Sequence, residues 1–226
     1  WTQREWLPEL TDSSTIYLFD PAGHSGSSRE PHRCMAFTVV ASSPNPVHYH
    51  DFEKHGDPVR RYMTSWSLEE LQEAAPVSLA RPDSEEIVKR HERFGGIARA
   101  VLARYPEEWY RKLRDKMGTT DFSAVERSIG LSDEVPGATH KLLIYDVKEG
   151  TDEPCTDVVG RFASEYVLRE FSKVSLRLKK QQTLDFLAAA TSRADLSPFV
   201  GVPFEMWAHE LLGRGGRFRV RRLDDD

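Results

Sequence analysis

The sequence predicts an α/β protein in which a parallel sheet is followed by a helical lid and then by an α+β stretch. Three observations carry that reading. The run Met35-Ala-Phe-Thr-Val-Val-Ala41 is apolar almost throughout, the pattern of a strand covered on both faces by helix layers, as parallel sheets require. A shorter β-rich run, Thr15-Ile-Tyr-Leu-Phe19, precedes it and ends at Asp20. From Ser84 onward, apolar residues recur at helical spacing.

The elements follow in order. Pro21 to Ser28 is rich in Gly and Ser and reads as the loop between the two strands, and Ser42-Ser43-Pro44-Asn45-Pro46 stops the second. Arg61-Tyr62-Met63 reads as a third, shorter strand. Ser67 stands three residues before Glu70, a capping box that starts a helix, and Pro76 ends it. Ile87, Val88, His91 and Phe94 mark a helix up to Gly95-Gly96, a second runs from Ile97 to about Tyr105, and Pro106 opens a third to Met117. Asp121 to Ile129 is a short fourth. Gly130 to Gly137 collects Gly, Pro, Ser and Asp and forms the best internal boundary. Lys141 to Val147 is a strand. Gly160 to about Ala190 is a long amphipathic helical stretch that breaks once. Val202-Pro203-Phe204 opens a last helix to Leu212, Gly213 to Gly216 ends it, and Arg217 to Leu223 alternates like a strand. The expected organisation is an α/β core over 1–76, a helical lid over 77–130, an α+β linking region over 131–200, and the start of a nuclease-like or other domain over 201–226.

Composition narrows the classes. With 226 residues, 39% hydrophobic and 30% charged, the chain can bury a core, and disordered or collagen-like sequence is excluded. The 36 acids against 31 bases give a charge of -5, which argues against a generally basic nucleic-acid coat and leaves local patches to consider. The two cysteines, Cys34 and Cys155, are too few for a disulfide scaffold or a thiolate zinc site. The longest apolar stretch, Phe37 to Ala41, falls far short of the roughly 20 residues that span a bilayer, so no membrane partner is expected. The chain opens on Trp1 and reads as a piece of something longer.

Several motifs could carry chemistry. An acid at the C-terminal edge of a strand, as Asp20 is, can hold magnesium water beside phosphates, although an Asp before Pro21 is also ordinary turn chemistry. Ser42 and Ser43 end the next strand, where a hydroxyl can orient water or sense a γ-phosphate. The Gly95-Gly96 pair permits a tight turn, and the helix after it projects Arg99, which can lean over a nucleotide or simply be solvated. His48, His50, Asp51 and His55 cluster in a turn-rich segment without completing a metal-ligand spacing. Glu205 and His209 share a helix face. An acid there resembles the first metal ligand of restriction-type nucleases, or else meets the helix dipole. The remaining ligands of such a nuclease site would lie beyond Asp226. Arg217, Arg219 and Arg221 share a strand face and could contact phosphates, partly cancelled by Asp224-Asp225-Asp226.

Taken in this order, Tyr17-Leu-Phe-Asp20, Thr38 to Pro44, Arg61-Tyr-Met-Thr-Ser-Trp-Ser-Leu-Glu-Glu-Leu71, Arg93-Phe-Gly-Gly-Ile-Ala-Arg99, Gly201-Val-Pro-Phe-Glu205 and Leu211 to Phe218 resemble the Crinkler-RHS group of effectors. These are the oomycete and fungal Crinklers and the trypanosomatid retrotransposon hot spot proteins. The tryptophan-centred segment and the Gly-Gly-x-x-Arg turn are the most specific parts. The resemblance implies the C-terminal part of a P-loop NTPase using ATP and magnesium, often followed by a nuclease-like domain. It also implies secretion and action inside host cells, commonly the nucleus. By that resemblance Asp20 lies near the magnesium site, Ser42 or Ser43 at the sensor strand's end, and Arg99 matches the arginine after the paired glycines. Two departures stand out: Ala98 occupies a position usually held by proline, and no Gly-x-x-x-x-Gly-Lys-Ser/Thr loop occurs. The chain is therefore not expected to hydrolyse ATP alone. The alternative is a catalytically inactive effector module that binds a host protein or nucleic acid.

Overall fold

A computed structural model describes residues 8–21, 31–42, 49–54, 58–130, 141–148, 154–193 and 196–218. The chain divides into two compact units, one ending at Arg60 and the other built from the described residues that follow it.

The first unit holds β1 (Ile16–Phe19) and β2 (Phe37–Val40), paired parallel with Ile16 opposite Phe37 and Phe19 opposite Val40. The ladder extends by one bond at each end, Phe37 N–H to the Thr15 carbonyl at 2.9 Å and Ala41 N–H to the Phe19 carbonyl at 3.0 Å. Buried Leu10 anchors the entry to β2, its carbonyl accepting from both Met35 and Ala36. A helix α1 (His50–Lys54) follows. The expected parallel pair is thus present, but not the expected double burial. Ile16, Leu18, Phe37 and Val39 line one face and stay exposed, Leu18 by 73% and Phe37 by 68%. An apolar run therefore marks a strand of parallel type here without two helix layers over it.

The second unit is mainly helical. Its elements are α2 (Leu68–Ala74), α3 (Ser84–Phe94), α4 (Ala98–Val101), α5 (Pro106–Thr119) and α6 (Phe122–Gly130), then β3 (Leu143–Val147) and β4 (Val158–Phe162), then α7 (Glu165–Leu178), α8 (Lys180–Ala190) and α9 (Ser197–Gly213). The capping box is complete: Glu70 N–H donates to Ser67 Oγ at 3.2 Å, and Ser67 N–H donates to Glu70 Oε2 at 2.7 Å. Pro76 falls in a 3-10 turn directly after α2. The helical stretch breaks at Lys179, whose φ of -137° leaves the helical region.

Five local expectations are corrected. Arg61 to Met63 forms no strand; Tyr62 N–H makes one bond to the Cys155 carbonyl at 2.8 Å, and Met63 is 89% exposed. The helix expected from Ile97 to Tyr105 stops at Val101. The stretch from Gly160 begins as β4, which pairs antiparallel with β3 from Leu143 opposite Phe162 to Val147 opposite Val158. That pairing is long-range, and it overrides the local pattern around Gly160. The last helix begins at Ser197, one and a half turns before Pro203, so the proline sits inside it. Of the strand expected from Arg217 to Leu223, the described residues Arg217 and Phe218 are outside any strand, and the rest lie outside the described residues.

The core of this unit is aromatic. Phe122 stacks on Phe186 at 4.6 Å and meets Phe171 edge-on at 4.9 Å, while Phe162 bridges Phe171 and Phe199 at 5.4 and 5.6 Å. Leu71, Ile87, Val125 and Val167 close around them with at most 1% exposure. Each such side chain contributes about 1.5–3 kcal/mol by burial, so α6, α7, α8 and α9 are held to the β3–β4 hairpin by one continuous cluster.

Candidate functional site

Asp20 is the residue after β1 and Ser42 stands two residues after β2, so parallel, in-register pairing brings both to one edge of the sheet. Both are exposed. In open α/β sheets ligands gather outside this edge, because loops leaving the strands diverge there. Within β1, burial holds the Tyr17 phenol above its ordinary value, against a hydrogen bond from the His32 backbone that acts the other way. Ser43 lies outside the described residues, as do His48 and His55.

Arg99 belongs to the second unit, as the second residue of α4, and is exposed. The turn before it is governed by packing. Gly95 has φ +60° and ψ -150°, a combination essentially confined to glycine. A β-carbon there would overlap the Ala163 carbonyl oxygen and stand 2.7 Å from its carbon. A β-carbon on Gly96 would stand 2.7 Å from the Trp66 nitrogen and 2.8 Å from Ser65 Cβ. The turn is clamped from both sides: Trp66 N–H donates to the Gly96 carbonyl at 3.1 Å, and Ser164 Oγ donates to the Arg93 carbonyl at 2.8 Å. The tryptophan-centred segment and the paired glycines, far apart in sequence, therefore meet in space.

Sequence reasoning passed over the arginine that organises this region. Arg90 is 6% exposed, and its Nη1 donates to the carbonyls of Val101 at 2.8 Å and Ala103 at 2.7 Å, while Nη2 pairs with Glu86. It thereby satisfies carbonyls at the C-terminal end of α4, where a cation also meets the negative end of the helix dipole. The signal available was its place on the apolar side of α3, one turn after Glu86. Arg93, by contrast, points outward and rests against Tyr110 and Tyr166 at 5.1 and 5.9 Å, donating to the Tyr110 hydroxyl at 2.8 Å.

Glu205 and His209 are both exposed on α9. Among the described residues no group of three or more His, Cys, Asp or Glu side chains could hold a metal ion, so neither Glu205 nor the His50-Asp51 segment is brought to further ligands there. Arg217 is exposed, and Arg219 and Arg221 lie outside the described residues. No described helix is long and apolar enough to cross a membrane. Comparison with protein families, curated proteins and solved structures finds no match for this chain.

Proposed function

We propose that the β1–β2 edge is the nucleotide-facing edge of a Crinkler-type effector module, one that works inside host cells and does not turn over ATP by itself. The observation that supports this reading is the parallel, in-register pairing that sets Asp20 and Ser42 at one sheet edge. Parallel ladders belong almost entirely to α/β proteins, and their ligand sites lie at that edge. Magnesium prefers hard oxygen ligands and keeps several waters, so a single carboxylate such as Asp20 suits a water-mediated role beside phosphates. The residues on hand supply one acid and one hydroxyl. The lysine and backbone amides that would cradle the phosphates have no counterpart motif in these 226 residues. Hydrolysis is accordingly not expected.

The test is a titration of the isotopically labelled chain with magnesium ATP, followed by amide shifts. Saturable shifts at Asp20, Ala41 and Ser42, removed by Asp20→Ala, are expected. Absence of shifts at that edge, or ATP turnover at ordinary enzymatic rates with Asp20 replaced, sinks the reading.

A further inference from the structure

The helices α7, α8 and α9 of the second unit enclose an open cleft of about 550 Å³. Leu176 and Met206 supply its apolar lining, and its charged lining is one-sided: Lys173 and Arg177 from α7, Lys180 from α8 and Arg214 just past α9, against the single acid Glu210. Lys173 and Arg177 are one helical turn apart and so project in the same direction. Glu210 is fully engaged. Its Oε1 accepts from Lys180 Nζ at 3.0 Å and from Arg214, and the Lys180 bond above all holds it below the usual carboxylate range. Lys173 is paired outside the cleft lining, with Glu170 at 2.5 Å. Arg177 lines the cleft, is exposed and makes no ion pair with any described carboxylate, so among the described residues no carboxylate competes for its five-donor fork.

Four cations against Glu210 and the Lys173 partner Glu170 leave a local positive excess in a chain of net charge -5. Such a concave cationic surface raises the local concentration of anions, and the planar guanidinium forks match phosphate geometry. The volume exceeds what one phosphate group fills. Beyond Arg214 the chain turns through Gly215 and Gly216, both with positive φ, and presents exposed Arg217 and then Phe218, itself 45% exposed. A cationic groove followed within four residues of Arg214 by a further exposed cation and an exposed aromatic ring supplies the parts by which single-stranded nucleic acid is held: cations for phosphates and a ring for a base.

We infer that the α7–α9 cleft is a backbone-binding site for single-stranded nucleic acid, with Arg177 and Arg214 on phosphates and Phe218 as a stacking platform. This stands independently of the nucleotide reading of the β1–β2 edge. The test is fluorescence anisotropy of a labelled oligothymidylate with the full chain, over a range of salt concentrations. Arg177→Glu is expected to weaken binding about tenfold and to flatten the salt dependence by roughly 0.7 per lost phosphate contact. Arg111→Glu, an equal charge change on the exposed side of α5, should leave it unchanged. Phe218→Ala should weaken binding by roughly fivefold or more, because stacking contributes about 1–3 kcal/mol per base. The inference is overturned if the oligonucleotide does not bind at low salt, or if Arg111→Glu weakens binding as much as Arg177→Glu. Tighter binding of a duplex of equal length overturns it too, as does displacement of the oligonucleotide by phosphatidylserine vesicles but not by unlabelled oligothymidylate.

Discussion

Gly95 passes so close to the carbonyl of Ala163 that the two backbones leave no room for a side chain, and the bond from Ser164 Oγ to the Arg93 carbonyl locks the crossing. The α3–α4 turn is thereby set against the end of β4. Gly95→Ala meets both backbone strain and an immovable carbonyl, so a loss of more than about 3 kcal/mol is expected in urea unfolding followed by circular dichroism. Gly118, inside α5, has open space where its β-carbon would be. Gly118→Ala should stabilise by about 0.5–1 kcal/mol. Equal effects from the two replacements would contradict the close-approach account.

Arg90 offers a second test. Its fork reaches two carbonyls at once, and a lysine ammonium cannot reproduce that planar geometry. Arg90→Lys is expected to cost about 1–3 kcal/mol, and Arg90→Met more, because the carbonyls then lose their donors altogether. Glu86 is 46% exposed at its side chain, so Glu86→Gln should cost under about 1 kcal/mol. A larger loss from Glu86→Gln than from Arg90→Lys would show that the ion pair, rather than the carbonyl capping, holds the turn.

Ser175 lies at 2% exposure on α7, and its Oγ has no hydrogen-bond partner among the described residues. A buried hydroxyl without a partner costs about 1–3 kcal/mol of desolvation. Ser175→Ala should therefore raise the melting temperature while leaving the far-ultraviolet spectrum unchanged. A clear fall in melting temperature would mean that the hydroxyl is satisfied in solution.

Tyr145, on β3, has its phenol held above the ordinary value, chiefly by burial and then by the charge of neighbouring Tyr62, whose ring lies 6.5 Å away. The proton is bound more tightly in the folded state. Its contribution to stability is therefore complete below the unfolded value near 10, and it is lost as pH rises through the folded value. Ultraviolet titration of the phenolates should show two tyrosines ionising late, Tyr17 and Tyr145, and Tyr145→Phe should remove one of the two steps. If all tyrosines ionise together at their ordinary value, the buried-phenol reading is wrong.

How much was legible in the sequence depends on the range of the interaction concerned. The Ser67–Glu70 capping box and the start of α5 at Pro106 rest on contacts within one helical turn, and each is present, whereas the single break expected between Gly160 and Ala190 is placed at Lys179 only by the structure. The expected parallel pairing of the Tyr17 and Thr38 strands is present, although the double burial on which that expectation rests is not. Strand β4 was not. Gly160 and Arg161 carry no local strand signal, and only the ladder to Ile144 and Tyr145 makes the segment extended. The candidate site divides in the same way. Asp20 and Ser42 could be named because strand ends are local features. Arg90 could not, because its bonds cross 11 and 13 residues into a turn whose path the local pattern does not specify.

The sequence by itself determined an α/β chain, the first two strand runs and the starts of α2 and α5, because capping, proline geometry and apolar periodicity act over a few residues. Only the tertiary structure decided what the paired glycines are for and where positive charge collects. Two backbones meet at Gly95 and Ala163, and cations from three separate helical regions converge on one cleft. Both depend on packing the Phe122, Phe171 and Phe199 core, whose contacts join segments that no local pattern places side by side.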